Sequence, residues 1–94
     1  MARYVSLIRF TDQGARSLRK SAARALGFRK AAEKLGLTVE SQLWTAGSCD
    51  GLLILSGDER KILRCLAGLV ELGNVRTETV RAFDAEEFKA IVGR

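Results

Sequence analysis

Leu37–Ser56 leaves this chain few ways to fold. LTVESQLWT alternates, Ala46-Gly47-Ser48-Cys49-Asp50-Gly51 is small and turn-forming, and LLILS returns almost wholly apolar. That pattern reads as a β-hairpin. Alternation puts Val39, Ser41 and Leu43 on one face of its first strand and Glu40, Gln42 and Trp44 on the other. On the second strand Leu52 and Ile54 oppose Leu53 and Leu55, so both faces of the sheet need cover.

The segments around the hairpin supply its partners. Arg3–Thr11 reads as a strand with Val5 and Leu7 to one side, Tyr4, Ile8 and Phe10 to the other, and Arg3 and Arg9 at the margins. Thr11-Asp12-Gln13-Gly14 has turn chemistry, and Ala15–Lys20 suits a short helical turn. From Ser21 to Leu35 the period becomes helical: Ala22, Ala25, Phe28, Ala32 and Leu35 step by three and four, with Arg24, Lys30 and Lys34 off that stripe. Asp58 is a good N-cap for a second amphipathic helix through Ile62, Cys65, Leu66, Leu69 and Leu72, closed by Gly73-Asn74. Val75–Phe83 reads as a strand. Asp84-Ala85-Glu86-Glu87 then opens a short final helix whose apolar side is Phe88, Ile91 and Val92.

The order β-α-β-β-α-β plus a terminal helix is that of an α+β, ferredoxin-like domain with a four-stranded antiparallel sheet. Residues 1–94 read as one such domain, without repeat or linker. Two helices cover only one face of the sheet. The strand phases leave Tyr4, Ile8, Phe10, Trp44, Leu53 and Leu55 on the uncovered face, and a patch of that kind calls for a partner. The expected partner is a second copy of the chain, in a homodimer or a higher oligomer.

Composition excludes more than it assigns. Histidine is absent, which removes the commonest general acid/base and metal ligand and rules out serine–histidine and cysteine–histidine nucleophile pairs. The two cysteines, Cys49 and Cys65, have no C-x-x-C spacing and read as reduced thiols. No apolar run approaches the ~18–20 residues of a membrane span and no leader pattern precedes the first strand, so the expected location is cytoplasmic, without a membrane partner. The formal charge of +5 is concentrated in one place. Arg16, Arg19, Lys20, Arg24, Arg29, Lys30 and Lys34 face only Glu33 between Gln13 and Gly36. A solvated helix face explains that run. Nucleic acid is not the expected partner, because the third strand carries no aromatic for base stacking. The glycines form no phosphate-binding loop.

The chain resembles the GYD-domain family, small proteins placed among the dimeric α/β barrels. The likeness rests on YVSLIRFTDQG, FRKAAEKLG, WTAGSCD and LGNVRTETVRAF leading into an acidic final helix, and it spans essentially the whole sequence. In the turn that names the family Gly47 and Asp50 match, whereas Cys49 stands at the tyrosine position, so a role for a phenol there does not carry over. The resemblance implies pairing of two sheets as a dimeric α/β barrel. It implies fold and assembly far more than chemistry.

Three functions compete. The leading expectation is a homo-oligomeric barrel protein that binds a small apolar or anionic ligand, without cofactor or metal and with no assigned catalytic residue. The candidate pocket residues are Tyr4, Arg9, Trp44 and Asp50. The bland alternative has Trp44 filling a core or interface, Gly47 supplying positive φ, and Asp50 capping the turn. The second function, a cofactor-free monooxygenase-like enzyme, rests on fold analogy and needs those four side chains to converge on one cavity. The third is a structural or regulatory assembly module whose basic helix contacts an anionic partner.

Overall fold

The protein is described here by a computed structural model over residues 1–93. Its elements are β1 (Ala2–Phe10), α1 (Asp12–Arg16), α2 (Ser21–Lys34), β2 (Thr38–Trp44), β3 (Gly51–Gly57), α3 (Glu59–Glu71), β4 (Val75–Ala82) and α4 (Ala85–Val92). The sheet is four-stranded and antiparallel in the order β2-β3-β1-β4, the ferredoxin-like arrangement. Asp12–Gly14, expected as a turn, instead joins Ala15 and Arg16 in α1, capped by the Thr11 side chain, and a 3₁₀ turn follows over Leu18–Lys20.

Helices α2 and α3 lie on one face of the sheet. The core between them joins Ala32 of α2, Leu37 and Val39 of the hairpin, Leu53 and Leu55 of β3, and Ile62 and Leu66 of α3. Tyr4, Ile8, Phe28, Leu35, Cys65 and Leu69 pack against it. Ser6 is buried in the same layer, with its hydroxyl 2.8 Å from that of Thr79. Tight approaches fix the corners. A Cβ at Gly14 would lie 2.0 Å from the Asn74 carbonyl oxygen, and one at Gly57 (φ +144°) would lie 2.7 Å from Leu37 Cδ2.

One expectation about phase is reversed. Tyr4, Ile8, Phe10, Leu53 and Leu55 belong to the helix-covered side, because Tyr4 pairs with Leu55, Ser6 with Leu53 and Ile8 with Gly51, next to α2 and α3. Trp44, opposite Gly51, lies on that side too. The open face instead carries Val5, Leu7, Leu52, Ile54, Leu43 and Val80. The second correction is in β2, where a bulge between Val39 and Ser41 inserts Glu40. An inserted residue advances the alternation by one. Val39 thus shares the covered side with Gln42 and Trp44, and Ser41 and Leu43 turn to the open side. The general inference survives the inversion: a sheet with apolar residues on both sides has helices over only one.

Helix α4 stands apart from the core. Its Asp84–Glu87 capping box is complete, and Arg3 on the open face ties it down through ion pairs to Glu87 (3.3 Å) and Asp84 (3.9 Å) while also pairing with Glu40 of β2 (3.1 Å). The bond to Glu40, with the surrounding negative charge, raises the Arg3 pKa above its ordinary value. Phe88, Ile91 and Val92 remain more than half exposed. The Cα trace measures 49 × 31 × 17 Å with a radius of gyration of 14.1 Å, against about 12 Å for a compact chain of this length. The molecule is a thin slab.

Candidate functional site

Between the covered face and the two helices, at the hairpin end, is a cavity of about 470 Å³. That falls within the roughly 300–1,000 Å³ of small-molecule sites. β1 contributes Ile8 and Phe10, the hairpin Trp44 and Gly51, α2 Arg24 and Phe28, and α3 Cys65 and Leu69. Leu72 and Val75 also line it. The lining is overwhelmingly apolar. Burial raises the Cys65 thiol pKa, which disfavours the thiolate there.

Most polar groups around the cavity are already engaged in building its walls. The Trp44 indole N–H donates to Ser21 Oγ at 3.0 Å, joining β2 to the start of α2. Gln42 donates to the Ala25 carbonyl (2.9 Å) and accepts from Arg29 Nε (3.1 Å). Asp50 Oδ2 accepts the Phe10 N–H at 2.9 Å, and the Asp50 N–H donates to the Ile8 carbonyl at 2.7 Å. Asp50 thus fastens the hairpin to β1; the turn itself is closed by Thr45 N–H to the Asp50 carbonyl and Thr45 Oγ1 to the Cys49 carbonyl. Gly47 has φ +146°, as a turn glycine should.

The four anticipated pocket residues do not share one site. Trp44 and Asp50 line the cavity. Tyr4 is on the same side of the sheet but toward its other end, where its hydroxyl donates to Glu59 and its ring lies 5.7 Å from the Arg81 guanidinium carbon. Arg9 is on the opposite face, with Nε donating to the Ser48 carbonyl (2.9 Å) and Nη1 3.8 Å from Glu78. The convergence of all four that the enzyme alternative calls for is absent from this arrangement.

By its sequence Arg24 belongs to the solvated face; its side chain instead lines the cavity. It holds an i, i+4, i+7, i+11 row with Phe28, Ala31 and Leu35, and that spacing was the available signal. Nη1 donates to the Ser17 carbonyl (3.1 Å) and lies 3.0 Å from Ser17 Oγ. Nη2 is buried with no hydrogen-bond partner among the described residues. Arg29 also turns inward, to Gln42, so the basic run is less of a continuous external stripe than it reads.

A ferredoxin-like sheet under two helices, with an apolar cavity at one end and a fourth helix tied to its edge, defines a small α+β domain. Residues 4–92 match the model of the GYD domain. The chain belongs to the GYD-domain family. No curated protein and no solved structure matches it. Among the described residues no helix is long and apolar enough to cross a membrane, and no cluster of potential ligands could hold a metal ion.

Proposed function

We propose that this chain is a cytoplasmic, homo-oligomeric α/β-barrel protein that binds a small, largely apolar molecule between its sheet and helices. The observation that carries the reading is the 470 Å³ cavity with its nearly continuous apolar lining. Water in such a space has few partners, so displacing it by hydrocarbon favours binding. Assembly is supported by the open face, where half-buried Val5, Leu7, Leu52 and Ile54 adjoin the exposed Leu43 and Val80. Both signs of charge, Arg3, Arg9 and Arg76 with Glu40 and Glu78, share that side of the sheet. A surface of this kind is complementary to itself about a two-fold axis. The two free thiols are consistent with a reducing compartment.

The test combines occupancy with assembly. Trp44 is the sole tryptophan and lines the cavity, so its fluorescence reports ligands directly in a metabolite screen, with melting temperature as a second readout. Gly68 also lines the cavity, and a Cβ there meets nothing within 4 Å. Gly68→Leu should therefore fill the space and abolish the response of every true ligand while the protein stays folded. Light scattering should give at least twice the 10.3 kDa chain mass, and Ile54→Asp should reduce it to one chain. Hits that persist unchanged in Gly68→Leu would refute the site; a monomeric wild type would refute the barrel.

A further inference from the structure

We infer that the ligand is an amphipathic anion, a hydrocarbon body ending in a carboxylate or similar oxyanion, and that Arg24 holds its head. This inference rests on the cavity reading above and specifies its chemistry.

Several of the cavity's other polar groups have partners within the protein. The Trp44 indole is satisfied by Ser21, both ends of the Gln42 amide are taken, and one Asp50 oxygen is occupied by the Phe10 N–H. Arg24 differs: Nη1 is held by Ser17, while Nη2 has no partner and is shut off from water in the cavity as well as outside it, so an acceptor in the cavity pairs with it once the guanidinium turns. A buried, unpaired donor on a cation is costly, and the cost is recovered when an acceptor arrives, above all a charged one. Arg64 also lines the cavity, so two cations accompany the single carboxylate of Asp50. The remaining wall, Phe28, Leu69, Leu72 and their neighbours, offers hydrocarbon contact only. A neutral apolar ligand would leave Nη2 unpaired, and a cation would be repelled by it. An oxyanion with an apolar tail satisfies both parts of the site.

The experiment titrates the full-length chain with octanoate, 1-octanol and octylammonium, read by Trp44 fluorescence. Octanoate is expected to bind saturably, at least tenfold more tightly than 1-octanol, and octylammonium more weakly than either. Arg24→Gln should weaken octanoate at least tenfold and change 1-octanol less than twofold, erasing the preference. Should Arg24→Gln fail to fold, Arg24→Lys keeps the charge and is expected to keep the preference for octanoate over octylammonium. Equal binding of octanoate and 1-octanol to the wild type, or a preference unaltered in Arg24→Gln, would overturn the inference while leaving the apolar cavity standing. If neither octanoate nor 1-octanol binds the wild type, the cavity reading falls and the inference with it.

Discussion

The same two helices pack tightly against one half of the sheet and leave a cavity over the other. Over Leu55, α2 and α3 bring Ala32, Ile62 and Leu66 into a core where these residues are at most 5% exposed. Toward Gly51 they present Gly27 and Gly68, and a Cβ at either would find no atom within 4 Å. The composition of the sheet does not explain the contrast, since Ile8, Phe10 and Trp44 at the hollow end are as bulky as anything at the packed end. The difference lies in the helices, whose walls at this end include two exposed glycines with open space beside them. A cavity made by leaving side chains out has pre-formed room and does not need a helix to move.

The largest effect that separates the halves comes from one truncation made in each. Leu55→Ala opens a void in a fully packed layer and should cost about 2–5 kcal/mol. Leu72 lines the hollow end and is 62% exposed; Leu72→Ala removes little buried surface and should cost under about 1 kcal/mol. Urea unfolding of the two variants measures both. Equal losses would mean that the hollow end is closed in solution.

The elements were legible in the sequence because each has its own start and stop. Asp58 caps α3, Gly73 ends it at φ +83°, and Asp84 with Glu87 opens α4. The pairing of strands followed from their order. What the sequence concealed was which side of the sheet faces the helices. Where both faces are apolar, hydrophobicity has no phase, and a misassigned strand inverts every side chain on it. The clue was charge: Arg3 and Arg9 alternate in step with Val5 and Leu7, which marks that set as the face without helices. In β2 the bulge at Glu40 broke a register that looked regular, and nothing in VESQLW announces it. The site was half legible for a related reason. Trp44 and Asp50 follow from the hairpin alone, whereas Arg24 reaches the cavity through tertiary packing that a basic run obscures.

A second, smaller effect runs in the opposite direction. Glycine inside a helix costs about 0.8–1.0 kcal/mol relative to alanine unless a close contact demands it, and Gly27, within α2, has none. Gly27→Ala should therefore stabilise the fold by about 0.5–1 kcal/mol, read from the urea midpoint. The same change adds a methyl group to the cavity wall and should weaken octanoate modestly. Lower stability in Gly27→Ala would show that the hollow end packs more closely than the two halves described here allow.

The smallest effect belongs to Tyr4, which clamps the start of α3 to β1 at the packed end. It is the only tyrosine, so its titration is read without ambiguity from phenolate absorbance. The hydrogen bond to Glu59, then burial and the Glu59 charge, raise its pKa above 10.0, with Arg81 opposing. The folded state thus holds this proton more tightly than the unfolded chain does. The resulting stabilisation is fully present below the unfolded value of about 10 and is lost as pH climbs from there through the folded-state value. The native titration midpoint should lie above 10, Glu59→Gln should lower it, and Arg81→Gln should raise it further. A midpoint at or below 10 would mean that the Tyr4–Glu59 contact does not persist in solution. Tyr4→Phe should remove the tyrosine's share of the alkaline dependence, leaving that of the Cys65 thiol, and leave octanoate affinity within twofold, because this ring lies outside the cavity and serves only the half of the molecule that is already full.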